Sequence, residues 1–149
     1  MDDGSTQESR TALRGCFVLR YTVPMSLAIT STVKTYPSHD YVTMADKILG
    51  KRYDLSLVFV GSARAATLNK KYRQKTYSPN VLSFPLDEHT GEIFISPQVA
   101  AREAATFDLT PAGYVGFLFI HGCLHLKGLD HGDTMEAQEA KWVKHFKLV

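Results

Sequence analysis

The chain has 149 residues, of which 44% are hydrophobic and 21% are charged, and its formal net charge is +2. A chain of this length can bury one sizeable core and is too short for a second. Its net charge is too small to indicate a nucleic-acid partner without further evidence. The two cysteines, Cys16 and Cys123, indicate no disulfide framework, so we expect free thiols and a cytoplasmic protein. The apolar run from Cys16 to Ile29 is broken by Arg20 and Pro24, which predicts neither a signal peptide nor a membrane span.

The first half of the chain predicts an extension followed by alternating strands and helices. Residues 1–15 are polar, and nothing in this part of the chain alternates or repeats cleanly, so we expect residues 1–24 to be a weakly ordered extension before a single domain at 25–149. SLAITSTV and YDLSLVFVG predict strands, and SHDYVTMADKILG between them predicts a helix capped by Ser38 and ended by Gly50. SARAATLNKKYR predicts a second helix with Ser62 as its N-cap, before the loop QKTYSPN, where Pro79 interrupts regular structure.

The second half predicts two strands and then helices only. VLSF and EIFIS read as strands joined by the turn-rich LDEHTG, and PQVAAREAA reads as a helix. The next helix is predicted from Thr110 to Lys127, with Gly128 past its end, and the last from about Asp133 to Phe146. This order predicts an α+β or α/β domain, of which we favour α+β: a small mixed sheet of about four strands packed with helices, with a C-terminal metal-binding helix-turn.

The segment HGCLHLKGLDH, residues 121–131, holds three of the six histidines. His121 and His125 are four residues apart and share a helix face, and Gly128 permits a sharp turn that would return His131 to that face. Three nitrogen ligands with an open fourth position are typical of a catalytic zinc site, and we expect one zinc ion per chain. Cys123 lies about 200° around the helix from His121, so it cannot close the site as a fourth ligand.

Two other interpretations of these histidines stay open. A single histidine on an apolar helix is usually a core or surface residue, and only the triple with its glycine favours a metal. The spacing also matches the HExxHxxGxxH zinc frame of metzincin proteases. Gly122 stands where those enzymes carry the glutamate that acts as general base, so a protease is a minor alternative.

The same residues resemble a known family. HGCLHLKGLDH is similar to the HGxLHLxGYDH signature of the YbeY family, bacterial rRNA maturation factors regarded as single-strand-specific, zinc-dependent endoribonucleases. LNKKYRQKTYSPNVLSFP, residues 68–85, is similar to the family's LNxxYRxxDxPTDVLSFP, and GEIFIS to its GDIxIS. Met135, Glu136 and Glu139 fit its acidic, Met-containing C-terminal helix. The resemblance covers roughly residues 26–147 and places a family start near Met25.

This sequence departs from the family pattern at four places. Leu129 replaces the usual tyrosine, Glu92 replaces an aspartate, and Thr76 stands where an aspartate is common. The family's Pro-Thr pair is rearranged to Ser78 and Pro79. The three histidines and the glycine between them are unchanged.

The distribution of charge also favours an RNA partner. No acidic residue occurs between Asp54 and Asp87, and that interval contains several cations with two interleaved aromatics: Arg64, Lys70, Lys71, Arg73, Lys75, Tyr72 and Tyr77. Such a stretch suits a phosphate backbone, with tyrosines available to stack on unpaired bases. We predict RNA contacts for Lys70, Lys71 and Lys75; the alternative is a solvated helix face.

These observations support the hypothesis of metal-assisted phosphodiester hydrolysis on single-stranded RNA. Zinc held by the histidines would lower the pKa of a bound water to about 7, without a dedicated base. We assign catalysis to His121 and to Arg73, which the resemblance marks as important and which would neutralise charge on the phosphate; the alternative for Arg73 is a structural salt bridge. Asp130 and Glu92 are candidate proton acceptors or orienting groups, and Ser83 is expected to line the cleft.

Two further functions stay open beside the nuclease. The resemblance implies rRNA processing, ribosome quality control and association with ribosomal particles. A ribosome-assembly RNA-binding factor would use the same metal structurally, whereas a hydrolase of small phosphate esters would not need the basic stretch. We expect no membrane partner, and the oligomeric state is left open.

Overall fold

The computed structural model describes residues 27–149, so the predicted extension and Cys16 lie outside the described residues. The elements in chain order are β1 (Leu27–Ser31), α1 (Tyr41–Leu49), β2 (Asp54–Phe59), α2 (Ser62–Arg73), β3 (Val81–Asp87), β4 (Thr90–Ile95), α3 (Pro97–Glu103), a 3-10 turn (Ala104–Phe107), α4 (Pro111–Leu126) and α5 (Asp133–His145). The α+β prediction is confirmed.

The strands form one mixed sheet in the order β1-β2-β4-β3. β1 runs parallel to β2 and β2 parallel to β4, whereas β3 is an antiparallel edge strand paired with β4. Strand pairing continues across a bulge between Pro85 and Asp87, so most of the predicted turn LDEHTG is strand. Only Glu88 and His89 separate β3 from β4.

The core lies between one face of this sheet and α4. Alternate residues of β2 and β4 are buried on this face, where Leu57, Phe59, Ile93 and Ile95 are 0% exposed. Eleven of the sixteen residues of α4 are buried, because the helix contacts the sheet as well as α1, α3 and α5. A helix that is apolar almost all round is typical of a buried core helix.

The opposite face of the sheet carries α2. Ser83 contacts α4 through the Gly122 carbonyl, so its neighbour Phe84 and the paired Glu92 point to the other face. There the ring of Tyr72 from α2 lies 5.4 Å from the ring of Phe84. The sheet therefore separates α2 from α4.

Two helix caps differ from the predictions. α1 is capped by Asp40 rather than Ser38: the Asp40 carboxylate accepts the Thr43 hydroxyl at 2.8 Å and the Thr43 N–H at 3.1 Å, and these bonds lower the pKa of Asp40. In α2, Gly61 is the cap and Ser62 is the first helical residue. The Ser62 N–H donates to Gln98 Oε1 at 3.3 Å, so a tertiary contact does what a side-chain cap would do.

Across residues 27–149, no individual helix has the length and hydropathy of a membrane span. The required length and hydropathy are reached only by two helical segments together, which are bent by 101° relative to each other: Pro97–Phe107 and Pro111–Leu126.

Candidate metal centre

His121 and His125 lie side by side at the C-terminal end of α4. Their ring centroids are 4.6 Å apart, and His125 Nε2 lies 3.1 Å from His121 Nε2. Both side chains are partly buried. The helical spacing therefore aims both imidazoles at one point, as predicted.

The turn after α4 returns a third imidazole to that point. Gly128 adopts φ +104°, a conformation that favours glycine, and the Leu129 N–H donates to the Leu124 carbonyl at 3.0 Å. The Leu129 side chain packs against the core and holds the turn in place. The ring of His131 then lies 5.1 Å from that of His121 and 4.8 Å from that of His125, and one ligand atom from each of the three lies within 4.8 Å of the others.

Two acceptors fix the orientation of the helical histidines. His121 Nδ1 lies 2.5 Å from Glu139 Oε2, and His125 Nδ1 lies 3.0 Å from the Leu129 carbonyl oxygen. A carboxylate and a carbonyl can only accept, so each Nδ1 carries a hydrogen, and in the neutral imidazole Nε2 then presents a lone pair. This is the second shell that metal-binding histidines ordinarily have.

The geometry fits a tetrahedral ion. His121 Nε2 and His125 Nε2 lie 3.1 Å apart, a separation that suits either one shared hydrogen or a metal ion bound by both nitrogens. Two nitrogens bound to one zinc at tetrahedral angles lie about 3.3 Å apart, close to the observed separation. Imidazole ligands suit zinc and several other transition ions, so the donors specify a metal class.

The electrostatics of His125 also favour ligation. Burial lowers its pKa, and the neighbouring His121 and His131 lower it further, against the opposing effects of the Leu129 carbonyl and Asp130. The neutral form is the one that binds a metal. His125 is therefore prepared to bind without first losing a proton at neutral pH.

A pocket of about 200 Å³ opens beside the triad. It is lined by side chains from the end of the α2–β3 loop, the 3-10 turn, α4, the α4–α5 turn and α5, among them Asn80, Phe107, Tyr114, Phe117, His121, His131, Glu136 and Glu139. The site thus has an open side, as a catalytic ion requires.

The residues between the helical histidines face the protein interior. A Cβ at Gly122 would lie 2.9 Å from Ser83 Oγ and 3.0 Å from Ile93 Cδ1, so this position packs against the sheet. Cys123 is a free thiol at 0% exposure, and burial raises its pKa. Neither position contributes to the pocket, which agrees with the exclusion of Cys123 as a ligand.

The predicted RNA-contacting residues lie apart from the triad. Arg73 Nη1 donates at 3.4 Å both to Asn69 Oδ1 and to the Tyr77 hydroxyl, and within residues 27–149 it has no carboxylate partner that would make it a structural salt bridge. Lys70, Lys71 and Lys75 are exposed on or just after α2. No α2 residue lines the pocket, so the structure does not bring this basic group into contact with the histidines.

Of the three supporting candidates, Glu92 and Ser83 lie elsewhere than expected. Glu92 points to the sheet face opposite α4, so it cannot orient the histidines. Asp130 is exposed and acts on His125 only through its charge. Ser83 does not line the pocket; its hydroxyl donates to the Gly122 carbonyl at 3.3 Å, beneath α4.

Sequence reasoning missed the specific role of Glu139. The acidic pattern of the last helix drew attention to Glu136 and Glu139 together, but nothing in their spacing distinguishes them. Only the packing of α5 on α4 brings Glu139 to His121 and leaves Glu136 exposed. The group of Asn80, Glu103 and Tyr114 was also missed, because its members come from three different elements.

Fold and site together define a small α+β protein with a three-histidine candidate metal centre at the end of a buried helix. The family model for endoribonuclease YbeY matches residues 28–146, and the chain belongs to this family.

Curated relatives agree with this assignment. Endoribonuclease YbeY of Neisseria meningitidis serogroup B is 37% identical over 110 residues, which cover 63% of this chain and 65% of the relative. Endoribonuclease YbeY of Methylobacillus flagellatus is 35% identical over 99 residues, covering 64% and 66% respectively. The match thus spans less than two thirds of the length of these relatives. The solution structure of a Thermotoga maritima protein, 24% identical, superposes with a TM-score of 0.60 over 80% of this chain and 88% of that one, which supports the fold.

Proposed function

We propose that this protein is a zinc-dependent, single-strand-specific endoribonuclease that acts in rRNA processing and ribosome quality control. The observation that carries this proposal is the pair of Nε2 atoms of His121 and His125, which lie 3.1 Å apart in rings that hydrogen-bond through Nδ1 to Glu139 and to the Leu129 carbonyl. Metal-binding histidines ordinarily have this orientation. Membership of the endoribonuclease YbeY family supports phosphodiester hydrolysis as the chemistry.

His121, His125 and His131 would hold one ion per chain, and their imidazole donors suit zinc. When bound, the ion supplies Lewis acidity towards water and phosphoryl oxygens. The open side towards the pocket admits a substrate phosphate. No carboxylate at residue 122 is required, which separates this site from that of the metzincin peptidases.

The chain itself would orient the site and hold the RNA. Glu139 keeps His121 in the tautomer that exposes Nε2 and stabilises positive charge at the centre. Arg73, together with Lys70, Lys71 and Lys75, would bind phosphates of the RNA backbone. Arg73 lies outside the pocket that contains His121 and His131, so its catalytic role requires that it reach the reacting phosphate around the edge strand β3. There its guanidinium would hold two oxygens and neutralise the charge that develops on them.

The loop from α2 to β3 offers a path between the basic residues and the pocket. Asn69 is 0% exposed, and its Nδ2 donates to the Tyr77 carbonyl at 3.0 Å, which fixes the loop. The same loop begins beside Arg73 and ends at Asn80 in the pocket wall. A single strand following it around the edge strand β3 would contact both regions. We place the activity in the cytoplasm, on rRNA within ribosomal particles, and in a domain spanning residues 25–149.

The deciding experiment combines zinc content with single-turnover cleavage of a defined single-stranded RNA. We expect about one zinc per chain and cleavage that requires it. Zinc and tight RNA affinity without turnover would instead indicate an RNA-binding assembly factor with a structural metal. Turnover of small phosphate esters that is insensitive to Lys70→Ala would indicate the third alternative.

A further inference from the structure

A row of stacked aromatic rings leads from the protein surface to the metal centre. Phe107 stacks on Tyr114 with centroids 5.0 Å apart and planes inclined by 13°, and Tyr114 stacks on Phe117 at 6.0 Å and 9°. The ring of Phe117 lies 6.3 Å from that of His121. Phe107 is 54% exposed, although it is a large apolar side chain. All four rings line the pocket.

The charge of this pocket disfavours a second phosphate. Glu136 and Glu139 line it, and Glu103 is hydrogen-bonded to two other lining residues, Asn80 and Tyr114. Three carboxylates repel an anion, while the basic residues that would attract one are elsewhere. The pocket is also smaller than the roughly 300–1,000 Å³ typical of drug-sized ligands, so it suits a single uncharged ring system.

Hydrogen bonds to Glu103 fix the orientation of the Asn80 side-chain amide, which lines the pocket. Asn80 Nδ2 donates to Glu103 Oε1 at 2.9 Å, and the Tyr114 hydroxyl donates to the same oxygen at 3.2 Å. Because a carboxylate only accepts, the amide nitrogen of Asn80 must face Glu103. Asn80 Oδ1 accepts no hydrogen bond from any residue of 27–149, and it is therefore the atom available to a ligand.

From this arrangement we propose that the pocket formed by Phe107, Tyr114, Phe117 and Asn80 binds one unpaired nucleobase of the RNA beside the phosphate held at the metal. Phe107 stacks on the base, and Asn80 Oδ1 accepts from an exocyclic amino group. Adenine, cytosine and guanine carry such a group, so this pocket selects them over uracil. The inference rests on the proposed function and adds to it a specificity for the nucleotide next to the scissile bond.

The test measures the affinity of the zinc-loaded protein for a single-stranded RNA made uncleavable by replacing the leaving oxygen of the scissile phosphodiester with a methylene group. An abasic residue is moved through the positions that flank this site. At one flanking position, base removal should weaken binding by about 10-fold. Phe107→Ala should weaken binding of the intact strand by the same factor, and it should cause no further loss of affinity on the strand that is abasic at this position. Phe107→Trp should bind the intact strand about as tightly as the wild type.

Leu86→Ala provides a matched control, because Leu86 is 59% exposed and does not line the pocket. It should bind like the wild type on every strand. At the sensitive position, replacing adenine by purine, which lacks only the amino group, should also weaken binding by about 10-fold, since a lost contact to a base edge typically costs that much.

Several results would overturn the inference. If the wild-type protein cleaves RNA but an abasic residue weakens binding at no position, the pocket does not bind a base. The proposed nuclease function is then unaffected. Equal losses from Phe107→Ala on intact and abasic strands place the ring outside base recognition. Loss of affinity for peptides rather than RNA in Phe107→Ala would assign the pocket to a peptide side chain. Zinc-loaded protein that neither binds nor cleaves RNA would overturn both proposals.

Discussion

Glu139 Oε2 lies 2.5 Å from His121 Nδ1, although eighteen residues separate the two in the chain. The contact joins α5 to α4 and fixes which ring nitrogen of His121 faces the candidate metal position. The Glu139 side chain is only 12% exposed, so the pair is shielded from solvent. α5 therefore does more than cover the core: it sets the chemistry of a residue on another helix.

This contact predicts that Glu139→Gln lowers zinc affinity by about 10-fold to 100-fold, the usual effect of removing a carboxylate that orients a histidine ligand. The amide keeps the size of the side chain but loses the charge, so the fold should survive. Competition with a zinc chelator, alongside thermal unfolding, measures both effects. Glu136→Gln is the matched control, because Glu136 bonds to no histidine of the triad. Equal zinc affinity in the two variants would contradict the role of Glu139.

Removing any ligand should lower metal occupancy. We expect about one zinc per wild-type chain and clearly less in His121→Ala, His125→Ala and His131→Ala, because two imidazoles compete poorly with water for the ion. Elemental analysis after dialysis gives the occupancy. His89→Ala is the control, since His89 is exposed in the turn between β3 and β4. Full retention in two of the three ligand variants would rule out the triad.

The stability of the metal-free protein should depend on the protonation of His125. Burial, His121 and His131 lower its pKa in the folded state below the ordinary 6.5, so the unfolded chain takes up a proton first as the pH falls. Stability is therefore complete above about pH 6.5 and declines as the pH falls from there towards the lower folded pKa. Thermal unfolding in the presence of a chelator, between about pH 5 and 8, should show a weaker decline for His125→Gln than for the wild type. Parallel profiles would refute this origin of the pH dependence.

Gly122 should tolerate no side chain. Gly122→Ala places a Cβ 2.9 Å from Ser83 Oγ and 3.0 Å from Ile93 Cδ1, so we expect it to lower the free energy of unfolding by about 1–3 kcal/mol. Gly122→Glu restores the HExxH pattern but directs a carboxylate into the sheet, so it should destabilise more and yield no peptidase. Denaturant unfolding and a peptide-cleavage assay test both statements. Gly61→Ala is the control, because a Cβ there has no neighbour within 4 Å among the described residues. Metal-dependent peptide cleavage by a folded Gly122→Glu would revive the protease alternative.

Substitutions of Arg73 distinguish between two roles for this residue, stabilisation of the transition state and simple binding of the RNA. Under the proposed function, Arg73→Ala keeps its zinc and fold, binds RNA modestly less well and slows saturated single-turnover cleavage by about 10²-fold. Arg73→Lys should recover most of the binding and little of the rate, because lysine lacks the planar fork. Lys70→Ala and Lys71→Ala, as controls, should weaken binding and flatten its salt dependence without slowing the saturated step. Wild-type cleavage by saturated Arg73→Ala would make Arg73 a tether on the α2 side of the sheet.

Elements whose signals lie between neighbouring residues could be predicted from the sequence. Four strands and the helices appear where hydrophobic period and turn residues predicted them, because alternation and helical spacing are properties of adjacent residues. The histidine triad belongs to this class: the interval of four residues and the permissive Gly128 lie within one short segment. Its spatial convergence could be predicted because a helix and one tight turn define it completely.

Features that depend on contacts between distant segments of the chain could be established only from the tertiary structure. The choice of Glu139 over Glu136 follows from packing that the chain order does not encode locally. The same is true of Glu92, whose place on the sheet face away from α4 depends on strand register, since a shift of one residue would reverse it. Local spacing can bring ligands together on one helix, but only long-range packing determines which acceptors orient them and which rings form the pocket beside them.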